Sequence, residues 1–357
     1  MSILKFIPNL EELWLEDQHG DYFTRHLPSP QSPLKTRLKI LYLIPFRPYN
    51  PNYCMIVGIL PHAPELLEIG LPYLNHEIAT DISTFCPRLQ TFIQTNTSES
   101  SHSSELPCGI INSLGILLSN CPNLKKIDGS NHQIGAQFLL THPWICQRLE
   151  VLRCRIVGVD RLSEEEEIDY HQGLLLRRLG WPLPEAETLA VEKYIHQICP
   201  QHQQIYAQLA KMTHLRVLEI GMEYRNLSHE KNFRFHPVSF IHRGAQTYID
   251  YGPPPQNTLE LSLTSGLEQL STLRNLKVFG FEGVDCRIDE EELRWMAIAW
   301  PKLRVMRGLQ DIEARFPNSI YDGERWYRRW FMRMLRPNVK HEHRLVEPIC
   351  FVWQHKY

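Results

Sequence analysis

Apolar positions in this chain recur in one short phrase: an apolar residue, Pro, any residue, then Leu. It reads Ile7-Pro8-Asn9-Leu10, Ala63-Pro64-Glu65-Leu66, Cys86-Pro87-Arg88-Leu89, Cys121-Pro122-Asn123-Leu124 and Trp300-Pro301-Lys302-Leu303. Looser copies without the Pro stand at Cys146-Gln147-Arg148-Leu149, Met212-Thr213-His214-Leu215 and Leu273-Arg274-Asn275-Leu276. After the Leu, most copies continue Leu-x-x-Leu-x-Leu, as Leu10, Leu13 and Leu15 do.

The apolar period switches on either side of the phrase. In Leu38-Lys39-Ile40-Leu41-Tyr42-Leu43, Leu41 and Leu43 alternate with Tyr42, the period of a short strand with one buried face. The runs from Leu149, Leu215 and Leu276 repeat that alternation. Between strands the period becomes helical: Ile110, Ile111, Leu114, Leu117, Leu118 and Cys121 fall on one helix face. Asp289 and the three glutamates after it read as a capped, acidic helix start, whose apolar face runs through Leu293, Met296 and Trp300. The Pro then disfavours helical geometry in the residue before it and stops the helix.

The first Leu of each unit stands at Leu10, Leu38, Leu66, Leu89, Leu124, Leu149, Leu215, Leu276 and Leu303, in steps of 28, 28, 23, 35, 25, 66, 61 and 27 residues. Most steps lie near the roughly 20–29 residues of a leucine-rich repeat. The expected fold is therefore α/β, a leucine-rich-repeat solenoid (horseshoe). Short parallel strands line its concave face and helices its convex face, in about ten irregular repeats that bury their leucines by stacking. The solenoid is expected over 1–309, with a C-terminal capping region over 310–357.

Two segments break the rhythm. Within 157–200, Ser163 to Glu167 is an acidic helix start or a solvated loop. Pro184 to Ile198 is helical in pattern through Leu189, Ile195 and Ile198, and Gln201 to Met212 gives another helix. The insertion at 223–257, with three consecutive prolines from Pro253, reads as a long loop. A strand through Leu259, Leu261 and Leu263 then completes the count of about ten units, followed by a helix over Gly266 to Leu273.

Composition narrows the setting. The chain of 357 residues is 43% apolar and carries 38 basic against 40 acidic side chains, a formal charge of −2, so no global field attracts nucleic acid or an anionic membrane. Nine cysteines without a C-x-x-C pair favour reduced thiols and a cytoplasmic or nuclear location. No signal peptide is visible, and the longest largely apolar run, Gly109 to Leu118, is too short to span a bilayer. Without a secretory route, Asn96-Thr97-Ser98 and Asn226-Leu227-Ser228 read as chance matches to a glycosylation site.

Candidate chemistry is sparse. Nucleotide and hydrolase signatures are missing. His341, His343, Cys350 and His355 match no standard zinc spacing. Cys86, Cys121 and Cys146 occupy the position that Ala63 and Trp300 fill elsewhere, which makes them buried hydrophobes rather than nucleophiles. No catalytic residue, cofactor or metal is expected, and the chain reads as a non-enzyme. The stretch Arg325 to Arg336 interleaves Arg325, Arg329, Arg333 and Arg336 with Trp326, Trp330 and Phe331. It reads as a helix covering the end of the stack with its arginines in solvent; the alternative is a nucleic-acid surface.

Strand positions between the leucines would face a partner. They are Trp14, Tyr42, Ile93, Asp128, Arg153, Arg155, Glu219 and Glu282. Aromatic and Arg side chains are frequent interface anchors. Charge reversal at Arg153 and Arg155 is expected to abolish binding without unfolding the chain.

The Cys-Pro-x-Leu phrase before a Leu-x-x-Leu-x-Leu strand resembles the cysteine-containing class of leucine-rich repeats. That class is most familiar from F-box/leucine-rich-repeat proteins, and the irregular insertions are similar to those of fungal members. The resemblance covers about 7–309. It implies a non-catalytic scaffold like the substrate-recognition domain of SCF-type ubiquitin ligases, acting in ubiquitin-dependent protein degradation, with a protein partner on the concave face. The repeat's usual Asn or Cys eight residues after the first Leu is replaced by Gln18, Phe46, Leu74, Val157 and Glu223. No F-box precedes the first repeat, so an SCF adaptor is expected only if one lies upstream of Met1. Otherwise the chain is a stand-alone binder or inhibitor.

Overall fold

Each recurring Leu sits two residues before a strand. The computed structural model describes residues 9–17, 36–45, 56, 58–95, 112–221, 236–242, 245–251, 258–281, 284–286, 288, 290–308 and 331–341. The nine leucines from Leu10 to Leu303 are followed in turn by β1 (Glu12–Asp17), β2 (Ile40–Pro45), β3 (Glu68–Leu71), β4 (Thr91–Gln94), β5 (Lys126–Gly135), β6 (Val151–Val157), β7 (Val217–Glu219), β11 (Val278–Gly280) and β13 (Val305–Arg307). The remaining strands are β8 (His236–His242), β9 (Ala245–Tyr251), β10 (Glu260–Leu261), β12 (Asp285–Cys286) and β14 (Lys340–His341). One open sheet of ten strands runs β1-β2-β3-β4-β5-β6-β7-β11-β13-β14, every neighbouring pair parallel.

The phrase is a β-turn. The Leu N–H donates to the carbonyl of the residue three before it: Leu66 to Ala63 at 3.1 Å, Leu89 to Cys86 at 3.1 Å, Leu149 to Cys146 at 3.2 Å and Leu303 to Trp300 at 3.1 Å. Pro, where present, stands second in the turn, where its fixed φ is already correct. The first residue of the phrase also closes the preceding helix, with Cys86 N–H on the Ile82 carbonyl and Trp300 N–H on the Met296 carbonyl. Its side chain is buried in every copy described, whether Ala63, Cys86, Cys121, Cys146, Met212, Leu273 or Trp300. The residue after the Leu then accepts two N–H groups from the next unit, as the Lys125 carbonyl does from Glu150 and Val151. Repeats are thereby laced together before their strands begin.

One more copy escapes the sequence pattern. Arg336-Pro337-Asn338-Val339 closes the same turn, Val339 N–H to the Arg336 carbonyl at 3.0 Å, and leads into β14. The sheet therefore continues past the boundary placed at 309. Arg336 stands where other copies put an apolar plug. It is not a solvent arginine: its guanidinium donates to the carbonyls of Ala297, Trp300, Pro301 and Leu303 at 2.6–3.4 Å. Residues 325–330 lie outside the described residues.

One sheet face packs on helices. Leu41, Ile69, Phe92, Ile127, Leu152, Leu218, Phe279 and Met306 hold the same register in successive strands and are fully buried. Burying each is worth roughly 1.5–3 kcal/mol. Helices α1 (His76–Phe85), α2 (Ser113–Asn120), α3 (Ala136–Thr141), α6 (Cys199–Ala210) and α7 (Glu290–Ala299) contribute buried residues to the same core, while α4 (Glu164–Arg178) and α5 (Glu185–Lys193) form a cluster of their own. Asn75 caps α1 through its side chain to Ile78 N–H at 2.8 Å. On the two expected helix faces Leu114, Leu117, Leu118 and Cys121 are buried, as are Leu293, Met296 and Trp300, while Ile110, Ile111 and Asp289 lie outside the described residues.

Four expectations change. Residues 236–242 and 245–251 are strands rather than loop: β8 and β9 pair antiparallel from His236–Tyr251 to His242–Ala245. The strand through Leu259 and Leu261 stays out of the large sheet. With no turn phrase to launch it into register, β10 pairs with β12 alone, and the tenth strand is β14. The helix over Gly266 to Leu273 is a 3-10 segment, Leu267–Thr272. In the first insertion, Glu164 to Glu167 open α4 with a capping box, Ser163 Oγ on Glu166 N–H and Glu166 on Ser163 N–H. Its neighbour α5, continued by a π segment at Tyr194–Ile198, buries Ala190, Val191, Tyr194 and Ile198, and leaves Leu189 and Ile195 outside. The aromatic Tyr194 is the stronger anchor, because its hydroxyl donates to the buried Glu260 carboxylate at 2.8 Å.

Candidate functional site

The other face of the sheet carries two rows in strand register, the first ranging from exposed Trp14 to buried Tyr42 and Glu219. One outward row runs Trp14, Tyr42, Gly70, Ile93, Asp128, Arg153, Glu219, Gly280, Arg307, from β1 to β13. Six of the eight residues singled out from the sequence thus stand side by side in one line. Two positions earlier in each strand lies a second row, half-buried, in which Val151, Val217, Val278 and Val305 are adjacent.

At the β1 end the row is aromatic. Trp14 is 43% exposed and stacks on Tyr42 with ring centroids 4.2 Å apart and planes within 5°. The Tyr42 ring lies across Gly70, where a Cβ would overlap its Cδ1. Its hydroxyl donates to the Glu68 carboxylate. Burial, and then Glu68, push the Tyr42 pKa above the ordinary phenol value, so the hydroxyl stays protonated as a donor.

The other half of the row is ionic and alternates in sign. Arg153 pairs with Asp128 on one side and, at 2.9 Å, with Glu219 on the other. Glu219 pairs in turn with Arg307. Burial alone works against the Arg153 charge, but Asp128 and Glu219 more than offset it and hold the pKa above the ordinary value. Gly280 lies between Glu219 and Arg307, and a Cβ there would stand 2.7 Å from Glu219 Cγ. Without a side chain on β11 the two charges meet across it. Reversing Arg153 would set a carboxylate between Asp128 and Glu219, so the reversal disturbs the fold as well as the face.

Arg155 does not join the row. It pairs in register with Gln133, beyond a shift in β5 between Asp128 and Gln133, and is only 7% exposed. Alternation along β6 keeps it on the Arg153 face, but opposite the irregular stretch of β5 it is buried. Glu282 lies outside the described residues. Gly70, Gly280 and Arg307 belong to the row although the sequence reading does not single them out. Arg307 repeats the strand position of Arg153, and each glycine is a small residue where neighbouring repeats carry large ones.

The cysteines behave as core atoms. Cys86, Cys121 and Cys146 are fully buried, and burial pushes their thiols up to about 12. Among the described residues no group of three His, Cys, Asp or Glu is placed to hold a metal ion, and no helix is long and apolar enough to cross a membrane.

No family model matches the chain, and no curated protein matches it. Among solved structures it is similar to a leucine-rich-repeat protein of Leptospira interrogans, at 12% identity over 94% of this chain and 90% of that one. The TM-score is 0.25, a likeness that carries no argument for fold or function.

Proposed function

We propose that the chain is an irregular leucine-rich-repeat solenoid of the cysteine-containing class, and that it acts as a non-catalytic protein-interaction scaffold through the open face of its sheet. The observation that carries this reading is the row from Trp14 to Arg307. Its residues differ from strand to strand, while the buried row beside it stays aliphatic or aromatic. A constant scaffold with a varied, ordered face is what recognition of an individual partner requires. Trp14, half exposed and held by stacking, is the anchor at one end, and the valine row offers apolar area at the other.

The resemblance extends this reading to substrate recognition for an SCF-type ubiquitin ligase, while a stand-alone binder or inhibitor would use the same face. Complexes purified from native cells separate the two: cullin–RING subunits accompany the chain in the first case and not in the second. The scaffold reading itself is tested with Trp14→Ala and Ile93→Glu beside Glu192→Lys on the inserted helices. A partner lost by the first two and kept by the third supports the open face. Retention by all three would overturn it. Nucleic-acid binding through the Arg325–Arg336 stretch is the weaker reading, since Arg336 is committed to backbone carbonyls.

A further inference from the structure

The insertion between β6 and β7 carries a second surface. Helices α4 and α5 pack on each other around Tyr170, Val191 and Tyr194. Their approach is close at Gly173, where a Cβ would stand 2.9 Å from Val191 Cγ2. On the opposite side of α4, Ile168, Leu175 and Leu179 are 51%, 47% and 54% exposed. Spacings of seven and four residues set these three on one stripe. Trp181, 62% exposed, follows directly after a glycine C-cap, with its N–H on the Leu176 carbonyl at 2.9 Å and Gly180 at φ 69°. An amphipathic helix ordinarily has one apolar face, and α4 has two.

The order of residues along α4 indicates what covers the second one. The helix opens with four glutamates, Glu164 to Glu167, and ends with Arg177-Arg178. Reversed about the midpoint between His171 and Gln172, the helix sets Ile168 on Leu175 and Glu166 on Arg177, while Leu179 falls on the acidic first turn. A parallel pairing would instead set glutamates on glutamates. An antiparallel pair brings Ile168 and Leu175 together and sets the acidic start of each helix beside the basic end of the other, with opposite ends of the helix dipoles adjacent. Such a match of a surface with its own reverse is the mark of an isologous contact, in which each residue meets the other's counterpart.

We propose that the outer stripe of α4 binds the same stripe of a second copy of this chain, antiparallel, about a two-fold axis between His171 and Gln172. Ile168 then packs on the partner's Leu175, and Leu179 lies over the partner's first helical turn. A single pair of helices about 22 Å long covers less than the roughly 1,600 Å² of a standard interface, so the dimer forms and dissociates with concentration. The row from Trp14 to Arg307 has no part in the contact. A dimer would present two open faces together, raising avidity for a repetitive partner.

Sedimentation velocity on the full chain tests this between about 1 and about 100 µM, the range of a small interface. The weight-average mass should climb from the 42.0 kDa of one chain toward twice that value. Leu175→Glu should weaken association at least tenfold with an unchanged melting temperature, since the side chain is half exposed already. Gln172→Cys, beside the axis, should form an inter-chain disulfide under mild oxidant faster than wild type or Glu192→Cys. A chain that stays monomeric throughout would overturn the proposal. So would a dimer that Leu175→Glu leaves intact, or a Gln172→Cys variant that cross-links no faster than Glu192→Cys.

Discussion

Glu219 on β7 and Arg307 on β13 form an ion pair across the strand that separates them, because Gly280 on β11 offers no side chain to keep them apart. The pair is the last link of a chain of alternating charges that begins at Asp128. A Gly280→Val substitution fills the space that Glu219 crosses and should destabilise the chain by about 1–3 kcal/mol. Urea melts of Gly280→Val should show that loss, and added salt should not restore it. A double-mutant cycle of Glu219→Gln and Arg307→Gln should give a coupling of about 0.5–3 kcal/mol, and a value near zero would refute the link.

The aromatic end rests on a glycine in the same way. Gly70→Val would drive the Tyr42 ring off its seat and away from Trp14. A loss of about 1–3 kcal/mol is expected, together with a change in near-ultraviolet circular dichroism as the stacked pair separates. An unchanged aromatic signal would show that the stack does not depend on Gly70.

Arg336 plugs its turn by hydrogen bonds where other repeats use an apolar side chain. Arg336→Ala leaves carbonyls at the end of α7 and its turn without their donor and should cost about 1–3 kcal/mol. Lysine should not restore it, since one ammonium cannot reproduce a planar fork spread over four carbonyls. Thermal melts of the two variants should therefore fall together below wild type.

Stability should also fall in mild acid through His132. This side chain is fully buried, neither ring nitrogen is hydrogen-bonded among the described residues, and burial lowers its pKa from 6.5 to about 4. The folded state thus binds fewer protons than the unfolded state between those values. The full contribution holds above about pH 6.5 and is lost progressively as pH falls toward 4, by up to about 3 kcal/mol. His132→Leu should flatten that part of the profile in urea melts at successive pH values. A variant as acid-sensitive as wild type would assign the loss to other groups.

The repeat phrase made the sheet legible because it is local: four residues stop a helix, close a turn and start a strand. Leu149 and Leu303 announce their strands without any knowledge of the rest of the chain. What escaped is relational. Asp128, Arg153, Glu219 and Arg307 each stand four residues after their repeat's Leu, but the pairing of Glu219 with Arg307 depends on Gly280 on the strand between them. Alternation gives the face of Arg155 but not its burial, which follows from the register shift in the neighbouring β5. The last copy hid because Arg336 replaces the apolar plug and Val339 the Leu, while the turn's geometry is kept. The α5 face differs from the expected one because Tyr194, unlike the more hydrophobic Leu189, carries a hydroxyl that donates to the buried Glu260.

The central claim is that partners bind the open face of the sheet. Cysteine footprinting with the natural partner bound tests it most directly, since the native cysteines described are buried and slow to react. Single cysteines at Thr91, Lys126 and Val217 report on the open face, and cysteines at Glu77, Gln137 and Glu291 on the helical side. The account predicts that the partner slows labelling at the first three by at least about tenfold and leaves the others unchanged. Protection confined to the helical side, with the open face labelled as fast as in the free chain, would contradict it.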